Sequence, residues 1–229
     1  MISMKKIWVI ANWKSNKNLA EALDWVSQVG EKLHRKDSLN IVICPQFSEI
    51  EEVAKEIKVG KLPLMVGSQD LSPFGEGPFT GEESASSLQG LVGLSILGHS
   101  ERRKNFGETD EIVAKKAKRA LEAGIIPLVC VQNENTPIPD GCSLVAYEPT
   151  FAIGTGNPDT PENANNVAYT LGQKYETQDD KLEVLYGGSV NSENVLNFVK
   201  KEHISGVLVG GASLDPQEFL KIIDECAKV

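Results

Sequence analysis

The sequence has few of the features that tie a chain to a membrane. No apolar run among its 229 residues reaches the roughly 18 residues that a spanning helix needs. The apolar stretch within residues 1–14 is too short for a signal peptide and lacks a small-residue cleavage site. We therefore expect a cytoplasmic protein with no membrane partner.

Cysteine is also scarce, and none of the four cysteines has the C-x-x-C spacing of common zinc and dithiol motifs. This absence disfavours metal and redox chemistry. Cys44 and Cys130 lie in apolar, strand-like runs, which predicts buried thiols.

Positive charge is in short supply, because 23 Lys and Arg stand against 32 Asp and Glu, a net charge of −9. That balance argues against a general nucleic-acid partner. It also means that an anionic substrate would be repelled at long range. Any anion site must therefore be built from local donors.

Short apolar runs alternate with helical stretches along the whole chain. Because most of the runs are continuous rather than alternating, they predict strands that are covered on both faces. The predicted strands are 7–12, 41–44, 64–67, 94–98, 126–131, 143–148, 182–187 and 206–210. This order predicts one (β/α)8 barrel domain over residues 1–229. The alternative is an open doubly wound sheet, although "ANWKSNK" after the first strand is not its usual G-x-G-x-x-G turn.

Capping patterns predict where four of the intervening helices begin. Ser48 with Glu51, and Thr80 with Glu83, have capping-box spacing. Thr160 and Asp215 each precede a proline, which is favoured at the first helical position.

One unit of the predicted barrel is unusually short. Only residues 132–144 lie between the fifth strand and the core of the sixth, and they include Pro137, Pro139 and Gly141. Since a crossover needs at least about 10–12 residues, the chain can cross here with one helical turn at most. We predict that the fifth outer helix is shortened or missing.

Chemically useful side chains follow several of the predicted strands. Asn12 and Lys14 follow the first, His99 and Glu101 the fourth, and Glu148 the sixth. Each alone is more simply a surface or structural residue. In a barrel, however, the carboxyl ends of all strands meet at one face, which is where active sites lie. Their coincidence at that face favours a functional site.

Glycine pairs follow the last two strands, in "YGGSV" and "VGGASL". Glycine lets backbone N–H groups approach an anion closely, and this fold often binds phosphate with the loops after strands 7 and 8. Gly187, Gly188, Gly210 and Gly211 are therefore candidate phosphate ligands, with Ser189 as a side-chain donor.

Five segments in the same order, "ANWKSN", "GHSERR", "AYEPTFAIGTG", "YGGSV" and "VGGASL", closely resemble the triosephosphate isomerase family. The resemblance covers essentially the whole chain. It implies interconversion of dihydroxyacetone phosphate and D-glyceraldehyde 3-phosphate through an enediolate, in glycolysis and gluconeogenesis, without a cofactor or metal. The expected partner is a small phosphorylated triose.

The resemblance also implies a role for each site residue. Glu148 is expected to be the base and His99 the neutral imidazole that polarises the carbonyl. Lys14 is expected to supply positive charge, Asn12 a hydrogen bond, and Glu101 a partner for Lys14 or a proton shuttle. The expected phosphate contacts, together with Asn12 and Lys14, are Gly154, Ser189, Gly210 and Gly211.

In the family, the segment after the base closes over the site as a lid. Here the lid segment is Pro149, Thr150, Phe151, Ala152, Ile153, Gly154, Thr155 and Gly156, followed by a far hinge at residues 157–159. The family usually has tryptophan where this chain has Phe151, and a glutamate within reach of that tryptophan where this chain has Asn133. We expect lid opening to be stabilised differently here.

The loop at residues 69–82 resembles the family loop that reaches into a second subunit, with Thr80 at its tip as the expected dimer contact. We favour a homodimer, while the short fifth unit leaves a tetramer as the alternative. Two other functions stay open at this stage. They are a metal-dependent phosphosugar epimerase, disfavoured because only His99 stands at a strand end, and a non-catalytic phosphate-binding barrel.

Overall fold

The computed structural model describes residues 6–152, 156–175 and 181–229. Eight strands close into a barrel in sequence order. They are β1 (Ile7–Asn12), β2 (Leu39–Cys44), β3 (Met65–Ser68), β4 (Leu94–Leu97), β5 (Ile126–Val131), β6 (Leu144–Tyr147), β7 (Glu183–Tyr186) and β8 (Ile204–Val209). The predicted (β/α)8 barrel is confirmed, with every predicted strand found within about two residues of its expected bounds.

All neighbouring strands are parallel, and β1 closes the ring by pairing with both β2 and β8. The continuous apolar runs arise because each strand is buried on two sides. Alternate residues such as Ile10, Cys44 and Cys130 fill the barrel interior, while the others pack under the helices. Both thiols are buried, as predicted, and burial raises the pKa of each well above its ordinary value.

The outer layer consists of helices α1 (Leu19–Gly30), α2 (Ile50–Gly60), α3 (Ala85–Leu88), α4 (Ser100–Phe106), α5 (Asp110–Glu122), α6 (Pro161–Tyr175), α7 (Val195–Val199) and α8 (Pro216–Cys226). Two 3₁₀ turns, Phe47–Glu49 and Gly211–Leu214, precede α2 and α8. Within the described residues, no helix is long and apolar enough to cross a bilayer.

No helix follows β5, as predicted for the fifth unit of the barrel: residues 132–143, all of which the structure describes, contain no helix. A compact loop takes its place. The Thr136 hydroxyl accepts from the Gln132 N–H, and the buried Ile138 packs into the outer core. The Ile138 N–H donates to the Tyr175 hydroxyl of α6, so this loop covers part of the wall that a helix would otherwise shield.

Two of the predicted helix caps are confirmed and two are wrong, although α2 begins within two residues of the start predicted from Ser48. Asp215 caps α8, and the Thr160 hydroxyl accepts from the third residue of α6. Ser48 instead lies in the 3₁₀ turn and donates to Glu49. Thr80 lies in an exposed loop, and Ser84 caps the helix that follows. Capping-box spacing alone does not fix where the chain turns into a helix, because the same residues also stabilise turns.

Gly206 is required where β8 bulges between β7 and β1. Its φ is +155°, and a Cβ built there would lie 2.1 Å from the Trp8 carbonyl oxygen. Because β1 and β8 close the barrel at this point, neither backbone has room to shift.

We predict that Gly206→Ala lowers the free energy of unfolding by about 3 kcal/mol or more, as expected for overlap and backbone strain in a core. Urea denaturation followed by circular dichroism measures the change. Gly211→Ala is the control, because a Cβ there has no heavy atom within 4 Å. Equal stability of the two variants would contradict the steric account.

Candidate active site

A cavity of about 320 Å³ opens at the carboxyl ends of the strands. The structure brings most of the sequence-predicted site residues together around it. Those that line it are Asn12, Lys14, His99, Glu148, Gly156, Gly187, Gly188, Ser189, Gly210 and Gly211. Glu101 lines an adjoining cavity of about 280 Å³, which shares Asn12, Lys14 and His99 with the first.

Glu148 directly follows β6 and is fully buried. Its Oε2 accepts a hydrogen bond of 2.8 Å from the Ser100 N–H, which sequence reasoning missed because a backbone donor leaves no sequence signal. Its Oε1 lies 3.0 Å from His99 Nε2. That contact is not aligned as a hydrogen bond, so Oε1 accepts no hydrogen bond of good geometry among the described residues. An unsatisfied buried carboxylate oxygen beside a cavity is costly and typical of functional sites.

His99 lies between the end of β4 and the start of α4. Its Nδ1 accepts from the Glu101 N–H at 3.2 Å, so Nδ1 carries no hydrogen in this arrangement. The ring hydrogen is therefore on Nε2, facing Glu148. Burial lowers the pKa of His99, but the charges of Glu148 and Glu101 outweigh burial and hold the pKa above its ordinary value.

Lys14 has a left-handed backbone conformation, with φ of 54°. Two side chains hold it there: Asn12 Oδ1 accepts from the Lys14 N–H at 3.0 Å, and Gln69 Nε2 donates to the Lys14 carbonyl at 2.8 Å. The ammonium group contacts Glu101 Oε1 at 2.5 Å. Sequence reasoning missed Gln69, whose only signal is its place directly after β3.

The opposite wall of the cavity is formed by the glycine turns after β7 and β8. Gly210 O accepts from both the N–H and the hydroxyl of Ser213, which fixes the second turn. Asn194 Nδ2 donates to the Ser189 carbonyl and fixes the first. A side chain at Gly187 or Gly188 would meet Glu148 Cγ at 3.0 Å or the Tyr186 hydroxyl at 2.2 Å. These glycines therefore preserve the shape of the cavity.

The lid segment begins directly after Glu148. Pro149 and Ala152 are buried, whereas Thr150 and Phe151 are exposed. The Ser189 hydroxyl donates to the Ala152 carbonyl at 2.7 Å, which joins this segment to the β7 turn. The predictions for Ile153, Gly154 and Thr155 lie outside the described residues.

Thr80 is exposed on the loop between β3 and α3. Beside it, Phe74 and Phe79 stack with their ring centroids 4.3 Å apart. Both rings are partly exposed, at 45% and 36% of their surface. The loop therefore presents an apolar tip to the outside of its own chain.

The family model described as triosephosphate isomerase matches residues 7–226. The chain belongs to the triosephosphate isomerase family. It is 39% identical to a protein of Endomicrobium trichonymphae and 37% identical to one of Aquifex aeolicus, both named triosephosphate isomerase; the matches cover 96% and 94% of this chain and 98% and 97% of theirs. The crystal structure of triosephosphate isomerase from Bartonella henselae superposes with a TM-score of 0.82 at 27% identity, covering 96% of this chain and 98% of that one.

The raised pKa of His99 predicts how its contribution to stability depends on pH. A group whose pKa is higher in the folded than in the unfolded state contributes its full stabilisation of the fold at pH values below its unfolded pKa, near 6.5. That contribution is lost as the pH rises through the folded pKa. We therefore expect His99→Gln to lose more free energy of unfolding, relative to wild type, at pH 5.5 than at pH 9. Urea denaturation at both pH values measures the difference.

The exposed His34 provides the baseline for this comparison as His34→Gln. A loss in His99→Gln that is equal at both pH values, or that grows with pH, would contradict the assigned pairing of His99 with the carboxylates.

Proposed function

We propose that this protein interconverts dihydroxyacetone phosphate and D-glyceraldehyde 3-phosphate through an enediolate. The observation that carries the proposal is the buried Glu148 oxygen, which has no aligned donor among the described residues and lies 3.0 Å from His99 Nε2 at the cavity. Membership of the triosephosphate isomerase family supports the substrate class. The whole chain would act as one barrel domain, without a cofactor, in the cytoplasm.

Glu148 would carry the proton between the two carbons of the substrate. Proton transfer by a positioned carboxylate contributes typically about 10²–10⁴-fold to a rate. The Ser100 N–H fixes one oxygen of the carboxylate, which leaves Oε1 free to point at a carbon-bound proton. The base is thus oriented before substrate arrives, so less reorganisation is needed in the transition state.

His99 would donate its Nε2 hydrogen to the oxygens of the enediolate. The Glu101 N–H at Nδ1 favours the neutral form with the hydrogen on Nε2. The upward shift of its pKa depends on the close Glu148 carboxylate. A substrate lodged between the two side chains would separate them and weaken that effect, so the imidazole would act as a neutral acid.

Lys14 would supply the positive charge that the enediolate and phosphate need. Its left-handed backbone, held by Asn12 and Gln69, fixes the position from which the Lys14 side chain extends. Glu101 would hold that group in place until substrate arrives, and Asn12 would add a hydrogen bond. Fixed charges of this kind stabilise a developing anion more strongly in a buried site than in water.

Phosphate would bind between the glycine turns. We assign this to the backbone N–H groups of Gly210 and Gly211 and to Ser189, with Gly154 added from the lid segment. Uncharged donors suit a protein with a net charge of −9. They bind a dianion without requiring a cluster of cationic side chains. The lid segment would exclude water, which prevents the enediolate from losing its phosphate.

We predict that Glu148→Gln lowers kcat by about 10²–10⁴-fold, because the amide cannot accept the carbon-bound proton. A coupled assay for glyceraldehyde 3-phosphate isomerisation measures this. Glu31→Gln, which removes an exposed carboxylate, is the matched control for charge. Absence of turnover in wild type would favour a non-catalytic phosphate-binding barrel. Near-full activity of Glu148→Gln would refute the assigned base.

We propose a homodimer in which the loop carrying Thr80 inserts into the cavity that Glu101 lines. The apolar tip of that loop would pack against the exposed rings of Phe47 and Phe106, which line this cavity together with polar and charged side chains. The cavity also includes Lys14, so insertion would cover the site from the side.

Light scattering should give twice the chain mass of 24.9 kDa. We predict that Phe79→Asp gives the single mass and lowers kcat/KM by about tenfold or more, because a charge at the loop tip opposes burial. Glu76→Lys, also exposed on this loop, controls for a change of charge. Four times the mass would support the tetramer, and a wild-type monomer would refute both assemblies.

A further inference from the structure

Trp25, on the buried face of α1, contacts the turn that follows β8 (residues 210–214, the β8 turn). Its indole Nε1 donates a hydrogen bond of 3.0 Å to the Ser213 carbonyl. Ser213 is itself fully buried, and both its N–H and its hydroxyl donate to the Gly210 carbonyl, at 2.8 and 2.7 Å. Trp25 therefore holds the residue that fixes Gly210 at the wall of the cavity.

Lys17 holds the next residue of the same turn. Its Nζ donates to the Leu214 carbonyl at 2.9 Å. The Lys17 backbone is left-handed, with φ of 71°, and its carbonyl accepts from Gln46 Nε2 at 2.8 Å. Two successive carbonyls at the end of the β8 turn are thus bound by side chains from α1 and from the loop before it.

An aromatic cluster fixes the direction in which the Trp25 indole points. The ring packs edge-on against Trp13, with ring centroids 4.9 Å apart, and packs tilted against Phe219 of α8 at 5.4 Å. All three rings are fully buried. Since Trp13 lies between Asn12 and Lys14 in the chain, the same cluster contacts the segment that carries the candidate cation.

The two walls that this cluster joins lie close together at the cavity. A Cβ built at Gly210 would lie 3.4 Å from Lys14 Cε, so the Lys14 side chain passes beside the β8 turn. A displacement of the turn by about 1 Å would misplace its backbone donors relative to a bound phosphate and to Lys14, and errors of that size are costly to a rate.

A role in the core does not by itself account for the acceptor that Trp25 has. A buried indole N–H usually finds some acceptor, so a hydrogen bond as such indicates only stability. Trp8 is such a case, because its Nε1 donates to Glu183 Oε2 at 3.2 Å, near the amino ends of β1 and β7. The acceptor of Trp25 belongs instead to a turn that lines the cavity.

We propose that Trp25 is a positioning residue, which together with Lys17 holds the β8 turn in the conformation that binds the substrate phosphate. The proposal rests on the isomerase function proposed above, and within it on the assignment of phosphate to this turn. Trp25 acts through Ser213 and does not touch the substrate. Its loss should therefore weaken phosphate binding and leave proton transfer at Glu148 intact.

Trp25→Phe tests this role, because it removes the indole N–H and keeps an aromatic ring. The Ki of inorganic phosphate as a competitive inhibitor should rise about 3- to 10-fold, as expected for the loss of one hydrogen bond. The kcat/KM for D-glyceraldehyde 3-phosphate should fall by a similar factor. For D-glyceraldehyde, which has no phosphate, deuterium exchange in D₂O followed by NMR should change by less than about twofold.

Trp8→Phe is the matched control, since it makes the same change at a second buried indole and removes its hydrogen bond. It should lower stability but leave the Ki of inorganic phosphate within about twofold of wild type, because no residue of the β8 turn depends on that bond. Urea denaturation verifies that both variants are folded under the assay conditions. Equal changes of Ki in the two variants would contradict the proposal.

Lys17→Met tests the second bond to the turn with less risk to folding, because Lys17 is only half-buried. It removes the donor to the Leu214 carbonyl and should also raise the Ki of inorganic phosphate about 3- to 10-fold. Lys32→Met removes an equal charge, and with it a bond to Gln217 of α8, from an exposed position. It should change the Ki by less than about twofold, since the turn itself keeps its partners.

The outcomes also distinguish this inference from the function on which it rests. Equal losses for the phosphorylated and unphosphorylated substrates in Trp25→Phe would mean a structural role only and would overturn the proposal. An unchanged Ki of inorganic phosphate in a folded Trp25→Phe enzyme would overturn it as well, and if that variant does not fold, an unchanged Ki in Lys17→Met would do so. Wild type without any turnover of the phosphorylated substrate would refute the function and, with it, the inference.

Discussion

Closure of the parallel barrel is the constraint on which the rest of the structure depends. Because all eight strands are parallel and β1 pairs with both β2 and β8, their carboxyl ends lie at one rim of a closed ring. Residues as distant in sequence as Lys14 and Gly210 therefore line the same cavity. The requirement for glycine at position 206 shows how little room the closing strands leave. The site is held in place by this ring, which fixes its geometry before substrate binds.

Burial of Glu148 sets the chemistry within that rim. A carboxylate removed from water is stabilised only by the partners that the fold supplies. Ser100 satisfies one oxygen, and His99 approaches the other without an aligned hydrogen bond. In the proposed mechanism, the free energy that such an arrangement costs would be offset when a substrate proton and carbonyl occupy the space between the two side chains. Backbone donors on the opposite wall would then hold phosphate, as proposed, without raising the charge of an acidic protein.

The sequence was sufficient to predict the strands, the absence of a helix after β5 and most of the candidate catalytic side chains at the cavity. The strands are predictable because burial on two faces produces continuous apolar runs. The cap predicted at Ser48 failed because its hydroxyl bonds locally to Glu49. Trp25 gave no signal, since a tryptophan on the apolar face of a helix resembles an ordinary core residue. Its bond to the Ser213 carbonyl, 188 residues away, exists only in the folded chain.

A crystal structure with 2-phosphoglycolate, a phosphate-bearing mimic of the enediolate, tests the central claim most directly. We expect the carboxylate of the analogue to lie between Glu148 and His99 Nε2, with its phosphate against Ser189 and the backbone of Gly210 and Gly211. The 3.0 Å contact between the two side chains should then be lost. An analogue bound elsewhere, or one that leaves Glu148 against the imidazole, would contradict the account.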